Sequence, residues 1–482
     1  MTIKKPLQLL TLFLFFTNFH FTAQNLTERI DNVENSLSPL VSIEGESLWN
    51  LQERMRQYKT PGLSITVIKD YKIDWTKSYG QISNDYKNKV TNETAFQAGS
   101  ISKFVNALAI MKLCEQNNIE LDSDINSHLT SWKFPYKNSS DKITLRQILS
   151  HTGGLSMSGF SGYKKAENLP TTIEILEGNG PANSEKVISI IPANQEFKYS
   201  GGGTTISQLI LTDNANVTYE NFISNYIFTP LKIENSFYSI QEEKYTKNIS
   251  SGHTRKGKPL KNNYNFYPES AAAGLWTTTS DLANILIDFQ LSLNDNEGKI
   301  LSKESAVEMI KPVLNNSNSG LGVFLEKQGE NIYLQHSAAT RGFRGKFFVS
   351  AKGGNGVVIL TNGTSIKILE EIIRSVAITY NWDGFKIFER NLDITYEKSD
   401  LIQYVGTYGL NKRKIQVKLK KGKLILSEKG KWSSKLTPID DSKFVIDIVK
   451  PRATIQFKND ENGAVSRCIL NQGGLTEWKK EI

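Results

Sequence analysis

The chain is poor in cysteine and histidine, two side chains that often bind metals in proteins. Of its 482 residues, only 2 are Cys and 5 are His. Two cysteines are too few for a disulfide scaffold or a cysteine-rich zinc or iron–sulfur site. His128 and His253 stand apart from each other and from the remaining histidines, so we expect no metal site. The glycine triplet Gly201–Gly203 does not follow a strand-like run, as a phosphate-binding loop would, and we expect no cofactor.

Long hydrophobic runs are also scarce. The main one, Leu7–Phe16, follows Lys4 and Lys5 and is itself followed by a small residue, Ala23. This order is typical of a secretory signal peptide, and the run is shorter than the ~20 residues of a membrane span. We therefore expect residues 1–23 to be a signal peptide and the mature protein to be periplasmic or secreted. The alternative is a retained segment that keeps the protein membrane-associated.

Excess positive charge is missing from most of the chain. The net charge is +9, yet residues 396–482 alone contain 18 Lys and Arg against 10 Asp and Glu. Such a shift in composition predicts a domain boundary. We expect one domain over residues 24–385, a linker over residues 386–395 and a basic C-terminal domain over residues 396–482.

The pattern of predicted elements changes at the same boundary. Before it, strand-like runs such as Leu63–Ile68 alternate with helix-like segments such as Ser102–Glu115. After it come short alternating runs such as Lys414–Leu419, separated by turns. The sequence therefore predicts a mixed α+β domain followed by a small antiparallel β domain.

The basic character of the C-terminal domain is strongest at residues 412–423, which contain seven Lys and Arg and no acid. On an exported protein such a surface would meet an anionic cell-envelope polymer or lipid rather than nucleic acid. The alternative is a solvated hairpin whose lysines protect an exposed strand edge from pairing.

The strongest chemical signal is Ser100 followed by Lys103 at the start of a helix-like segment. Residues three apart share a helix face, so the amine can reach the hydroxyl. A lysine among apolar walls can lose its proton near neutral pH and act as a base. The same spacing recurs at Ser139 and Ser161, but in polar or glycine-rich loop sequence without a helix. Ser100 on its own could equally be a helix N-cap.

Three later segments accompany this pair. They are Phe197–Gly203 with Tyr199 near its start, Ala271–Thr278, and His336–Phe343 ahead of a strand. In this order the motifs resemble those of the serine β-lactamase and penicillin-binding-protein superfamily. The resemblance is greatest to the class C β-lactamase-related branch with its D-stereospecific esterases and peptidases, and it covers about residues 45–385.

The resemblance implies a two-lobed α+β domain. One lobe is an antiparallel sheet flanked by helices and formed from both ends of the domain, and the other lobe is mostly helical. The active site is expected in the cleft between them. Residues 401–409 resemble the start of small β-barrel domains appended to this branch.

Roles also follow from the resemblance. Ser100 would be the nucleophile, Lys103 its proton acceptor, and Tyr199 a general base or acid. His336 occupies the first position of the family's Lys-Thr-Gly or His-x-Gly motif. The expected reaction is acyl transfer through an acyl-enzyme.

Further positions of the same motifs are expected to contact the substrate. Ser337 is the middle residue of the His-x-Gly motif. The backbone N–H groups of Ser100 and Ala339 would form the oxyanion hole. Trp276 and Arg341 are candidate substrate-binding residues, with a core aromatic and a solvated loop cation as the respective alternatives.

Two residues depart from the family pattern. Gly201, a further candidate substrate-binding residue, replaces the asparagine of the Tyr-x-Asn motif. Ala338 replaces the glycine of His-x-Gly, where a methyl group could crowd the backbone. His151 is expected to be a structural histidine that holds its loop. We therefore expect a serine hydrolase for small or peptide esters and amides, including D-amino-acid peptides and β-lactams. The alternative is a non-hydrolytic penicillin-binding or envelope-binding protein.

Overall fold

The computed structural model describes residues 25–43, 45–83, 88–137, 142–238, 248–294, 297–314, 318–390, 396–411, 413–446, 453–471 and 475–481. These residues form two compact units. The larger unit is Met55–Lys327 with Asn331–Leu369, and the smaller unit is Met1–Arg54 with Gln328–Glu330 and Glu370–Ile482. The predicted signal peptide and residues 391–395 of the predicted linker lie outside the described residues, so the predicted domain bounds stay predictions.

The helices are α1 (25–35), α2 (Leu51–Tyr58), α3 (Ser102–Asn117), α4 (Ile125–His128), α5 (Leu145–Leu149), α6 (Thr172–Glu177), α7 (Gly201–Ala215), α8 (Tyr219–Ile223), α9 (Thr279–Asn294), α10 (Lys303–Met309), α11 (Lys367–Thr379) and α12 (Lys398–Ile402). Shorter turns are a 3₁₀ turn at Gly99–Ile101 and π-helical turns at Ser224–Phe228 and Ser270–Gly274. None of the described helices is long and apolar enough to cross a membrane.

The strands are β1 (Val41–Ile43), β2 (Gly62–Lys69), β3 (Lys72–Gly80), β4 (Phe96–Gln97), β5 (Trp276–Thr277), β6 (Phe324–Gln328), β7 (Asn331–Thr340), β8 (Phe343–Ser350), β9 (Gly356–Thr361), β10 (Phe388–Arg390), β11 (Gly406–Leu410), β12 (Arg413–Lys420), β13 (Lys423–Glu428), β14 (Trp432–Asp440), β15 (Lys443–Ile446), β16 (Ala453–Asn459), β17 (Val465–Asn471) and β18 (Leu475–Lys480).

The larger unit is built around a six-stranded sheet with the order β3-β2-β9-β8-β7-β6. The central strands β2 and β9 pair antiparallel, with Leu63 opposite Thr361. Both are buried along nearly their whole length, which explains their continuous hydrophobic sequence. The sheet joins strands from both ends of the unit, so the predicted α+β fold with a sheet of this origin is confirmed.

Helix α3 lies at the centre of the larger unit. Its residues from Ser102 to Met111 are all buried, so it is surrounded by protein and does not present only one apolar face to the core. Phe104 packs on Phe289 of α9 and Phe347 of β8, with ring centroids 5.4 and 5.2 Å apart. These contacts hold the start of α3 against the sheet.

Strand β7 alternates strictly near its C-terminal end. His336, Ala338 and Thr340 are buried, whereas Ser337 and Ala339 are exposed on the opposite face. Ala338 pairs with Gly345 of β8. The methyl group of Ala338 therefore fills space in the core that the glycine on the neighbouring strand leaves open.

The smaller unit contains a closed barrel of eight strands, β11 to β18 in sequence order, with antiparallel pairing between neighbours. Its interior is apolar and includes Tyr408, Phe444 and Phe457. The predicted C-terminal antiparallel β-barrel domain is confirmed. Within the same unit, β1 and β10 form a short parallel pair.

The basic strand β12 alternates between buried Ile415 and Val417 and exposed residues such as Lys414 and Lys418. It pairs with β11 on one side and β13 on the other. Lys414 and Lys418 therefore lie on the outer face of a closed barrel. Residues 418–420 pair with β13 but not with β11, so the alternative that lysines protect an exposed strand edge stays open.

The two cysteines, Cys114 and Cys468, are both free.

The steric fit between β7 and β8 can be tested with Gly345→Ala. A methyl group at position 345 would lie 2.6 Å from Cδ2 of Leu360 and 3.0 Å from the carbonyl oxygen of Ile359, so side chain and backbone would have to shift. Overpacking of this kind costs about 1–3 kcal/mol. We expect thermal unfolding of Gly345→Ala at a lower temperature than wild type.

The matched control is Gly159→Ala in the same unit, because no atom lies within 4 Å of the position its methyl group would take. This variant should unfold at the wild-type temperature or slightly above it. Equal unfolding temperatures for the two variants would contradict the close packing inferred for β8.

Candidate active site

The serine at the centre of the site lies in the 3₁₀ turn that joins β4 to α3. Ser100 is half-buried, and the residue before it, Gly99, has a φ of +46°. A methyl group at position 99 would lie 3.1 Å from the backbone nitrogen of Ala339 and 3.0 Å from Cγ2 of Thr340. Glycine therefore permits both the turn's conformation and its close approach to β7. This approach brings Ser100 beside the exposed end of that strand.

Lys103 lies one helical turn after Ser100, as the sequence predicts. Its Nζ is 3.3 Å from Oγ of Ser100 and donates a hydrogen bond of 2.7 Å to the carbonyl oxygen of Ala272. The side chain is buried, and burial lowers the pKa of Lys103 to about 7. A substantial fraction of the amine is therefore neutral at pH 7 and can accept the serine proton.

Tyr199 immediately precedes the N-cap of α7, where the side chain of Ser200 accepts a hydrogen bond from the backbone N–H of Gly203. The phenol interacts with the side chain of Ser100, and Nζ of Lys103 lies 5.1 Å from the ring centroid of Tyr199. Burial raises the pKa of Tyr199 to about 12, although the bond to Ser100 opposes this shift. The phenol is protonated at neutral pH, which favours a proton-donating role over a basic one.

His151 also contacts this tyrosine. Its ring centroid is 4.3 Å from that of Tyr199, its Nδ1 accepts a hydrogen bond from the Ser200 N–H, and its carbonyl oxygen accepts one from the Lys198 N–H. The histidine thus holds its loop, as expected, and it also supports the Tyr199 ring. This second contact could not be predicted from the sequence, because His151 and Tyr199 are 48 positions apart and no spacing rule relates them.

His336 is buried on β7, with its ring centroid 6.3 Å from that of Tyr199. Its Nδ1 lies 3.0 Å from the carbonyl oxygen of Ser337. Burial and then the charge of Lys103 lower the pKa of His336 to about 3, so the ring is neutral. The carbonyl partner assigns the proton to Nδ1, which leaves Nε2 as an acceptor. That Nε2 is buried and finds no hydrogen-bond partner among the described residues.

The alanine that replaces the motif glycine is buried. Ala338 lies beside Gly345 of β8, whereas Ser337 and Ala339 are exposed on the other face of β7. Strand alternation places Ala338 on the same face as His336, so the expected crowding by its methyl group stays a prediction.

The glycine that replaces the motif asparagine has a different neighbour. A Cβ atom at Gly201 would lie 3.1 Å from Cε2 of Phe160, so a phenyl ring occupies part of the space beside this position. An asparagine amide at this position could have bound Lys103. Instead, the amine donates hydrogen bonds to Ser100 and to the Ala272 carbonyl.

The two other candidate substrate-binding residues, Trp276 and Arg341, differ in exposure. The ring of Trp276 is buried against Phe237, Tyr264 and Phe343, which agrees with the alternative that Trp276 is a core residue. Arg341 is exposed in the turn after β7, and its backbone N–H donates to the hydroxyl of Tyr267 at 3.4 Å. Substrate contacts of both residues stay predictions.

Glu269 was not predicted from sequence, yet it begins the turn that carries Ala272. Its carboxyl group is buried, and neither oxygen bonds to another of the described residues. Burial raises the pKa of Glu269 to about 7. A single glutamate in a loop gives no sequence signal for such burial.

Across the described residues, no group of three or more His, Cys, Asp or Glu could hold a metal ion.

Comparison with known proteins agrees with this geometry. The family model described as Beta-lactamase matches residues 50–378. Protein flp from Staphylococcus aureus (strain MRSA252) is 24% identical over 319 residues, which are 65% of this chain and 61% of that protein. The chain thus spans less than two thirds of this relative.

Two solved structures share the fold. An octameric penicillin-binding protein homologue from Pyrococcus abyssi is 21% identical with a TM-score of 0.61, over 89% of this chain and 98% of that one. The D-amino acid amidase from Ochrobactrum anthropi SV3 is 18% identical with a TM-score of 0.56, over 73% of this chain and 98% of that one. Since the family model covers well over half of the sequence, the chain belongs to the beta-lactamase family, within the serine β-lactamase and penicillin-binding-protein superfamily.

Proposed function

We propose that the protein is a serine hydrolase that forms an acyl-enzyme on Ser100 with ester or amide substrates, including D-amino-acid peptides. One observation carries this proposal: the buried amine of Lys103, with its pKa lowered to about 7, lies 3.3 Å from Oγ of Ser100. A nucleophile within reach of a base that is neutral at the working pH is the arrangement that acyl transfer requires.

Acylation follows from these positions. The neutral amine of Lys103 takes the proton of Ser100 while Oγ attacks the substrate carbonyl carbon. The backbone N–H groups of Ser100 and Ala339 stabilise the developing oxyanion. Tyr199 donates its proton to the leaving alcohol or amine. The ammonium of Lys103 then gives its proton to the phenolate, which restores the neutral amine and the protonated phenol.

Deacylation requires a water molecule to attack the acyl ester and lose a proton to the neutral amine of Lys103. The resulting ammonium gives this proton to Oγ of Ser100 as the ester bond breaks. Nε2 of His336 offers an acceptor for a hydrogen-bond donor of the substrate.

The replacement of asparagine by Gly201, with Phe160 beside it, favours a second candidate: a penicillin-binding protein that is acylated but releases the acyl group slowly.

We further propose that the protein is exported and that the outer lysines of β12 bind an anionic cell-envelope polymer. The signal-like N-terminus and the exposed positions of Lys414, Lys418 and Lys420 support this proposal.

Removal of residues 396–482 should then reduce retention on isolated cell envelopes, measured by co-sedimentation, while the acylation rate stays the same. Loss of acylation in the folded truncated protein would contradict this division of roles.

The nucleophile can be tested with covalent probes. A fluorophosphonate and a fluorescent penicillin should both label the wild-type protein, and Ser100→Ala should remove the label in each case. The matched control is Ser161→Ala, because Ser161 and Lys164 have the same spacing in an exposed loop. Labelling that persists in Ser100→Ala would refute the assignment, and slow release of bound penicillin would support the second candidate.

The base can be tested through the pH dependence of acylation. The reaction needs neutral Lys103, so its rate should rise with pH and level off above about 7, falling about tenfold per pH unit well below that value. Lys103→Arg should lower the rate by about 10²–10⁴-fold, because the guanidinium stays protonated. The control is Lys112→Arg on the same helix.

Glu269 also has a pKa near 7, so it needs its own variant. Glu269→Gln removes the titrating group with little change in shape and should leave the midpoint of the pH profile near 7. A midpoint that disappears in Glu269→Gln would assign the titration to the glutamate and contradict the role given to Lys103.

A further inference from the structure

A large cavity adjoins the catalytic site without including it. Its volume is about 1110 Å³, and none of Ser100, Lys103, Tyr199 and His336 is among the residues that line it. The cavity lies between the loops before α6 and α8 on one side and the segment from Tyr264 to Trp276 on the other. Pockets that bind small ligands in proteins typically measure ≈ 300–1,000 Å³, so there is room for a ligand.

The walls of this cavity are rich in aromatic rings, namely Tyr219, Tyr238, Tyr264, Phe266, Tyr267 and Trp276. The ring centroid of Tyr264 is 5.5 Å from that of Phe266 and 5.1 Å from that of Trp276. At another part of the wall, the rings of Tyr219 and Tyr238 meet edge to face at 5.3 Å. The cavity therefore offers several aromatic surfaces to an apolar or cationic group.

One carboxylate accompanies these rings. Glu220 is half-buried, and its Oε1 accepts a hydrogen bond of 3.0 Å from Oγ of Ser270. Burial first, and the charge of Glu220 in addition, raise the pKa of Tyr219 and of Tyr238, so both phenols stay neutral beside it. Among the described residues that line the cavity, none is Lys, Arg or His. The cavity thus has one negative charge and no basic side chain to balance it.

We propose that this cavity is a second binding site, for a small organic ammonium ion with an aromatic or aliphatic body. The ammonium group would bind Glu220 near the rings of Tyr219 and Tyr238, and the body would pack on Tyr264 and Phe266. Carboxylate and aromatic faces together stabilise an organic cation. A Ca²⁺ ion is a poor match, since it requires six to eight oxygen ligands and the wall supplies one carboxylate.

The cavity wall is also bonded to the catalytic lysine. Three consecutive residues of the turn Ser270–Gly274 make three different bonds. Ser270 donates to Glu220, the Ala271 N–H donates to Oε1 of Gln208 at 2.9 Å, and the Ala272 carbonyl accepts from Lys103. A ligand that draws Glu220 toward itself acts on the same turn that positions the lysine amine. Occupancy should therefore change the acylation rate; this coupling, unlike the binding, rests on the proposed function.

Binding can be measured by isothermal titration calorimetry with protonated 2-phenylethylamine and its uncharged counterpart 2-phenylethanol. Wild-type protein should bind the amine at least about tenfold more tightly than the alcohol. Glu220→Gln keeps an acceptor for Ser270 but removes the charge, so it should abolish this preference and leave binding of the alcohol unchanged. The matched control is Glu177→Gln, an exposed glutamate on α6.

Two further measurements separate the cavity from the catalytic site and from effects on folding. Phe266→Ala should weaken the amine and the alcohol alike, because it removes part of the wall that both share. Protein labelled on Ser100 with a fluorophosphonate should still bind the amine. No preference for the amine in wild-type protein, or the same preference in Glu220→Gln, would overturn the proposed site, as would loss of binding after labelling.

The coupling has its own readout. Saturating 2-phenylethylamine should change the rate of fluorophosphonate labelling at least about threefold in wild-type protein and leave it unchanged in Glu220→Gln. An unchanged rate in the wild type, with binding intact, would overturn the coupling. Failure of the proposed hydrolase function would appear instead as absence of labelling, with ligand binding by calorimetry unaffected.

Discussion

The burial of one amine controls the rest of the site. Lys103 lies in the first turn of α3, whose residues from Ser102 to Met111 are all buried, and it has two oxygen partners, Ser100 and the Ala272 carbonyl. In water its ammonium form would be strongly favoured, and removal of solvent lowers its pKa. The burial of the first part of α3 and the contacts of Phe104 with α9 and β8 keep solvent away from the amine. A neutral lysine is therefore a property of the whole larger unit.

The same packing determines the protonation state of the aromatic side chains in the site. Tyr199 and His336 are both held neutral by burial, one as a protonated phenol and the other as an uncharged imidazole. Their rings lie within van der Waals range of a cluster that includes His151 and Phe324. Because neither group is charged at pH 7, Lys103 is the only one of these side chains that titrates near neutrality. In the proposed mechanism, the group that takes protons is thus distinct from the group that gives them.

Much of this could be predicted from the sequence, because the features concerned are local. The Ser-x-x-Lys spacing, the α+β pattern and the alternating strands of the barrel each lie within a few residues. The contact of His151 with Tyr199, the burial of Glu269 and the place of Phe160 beside Gly201 could not be predicted. Each depends on how segments far apart in the chain pack, and propensity and periodicity do not report such packing. Ala338 is an instructive case: its burial beside Gly345 follows from strand alternation once the register of β7 with β8 is known.

In the closed barrel of the smaller unit, the packing of the core and the charge of the surface depend on different residues. Along β12 the inward residues Ile415 and Val417 build the core, while the positions that alternate with them, such as Lys414 and Lys418, face solvent. The outward positions carry charge but contribute little to the packing inside. Related chains could therefore exchange lysine for acidic or neutral residues there and acquire a different surface potential without loss of the fold. The surface potential of the barrel can in this way vary independently of its stability.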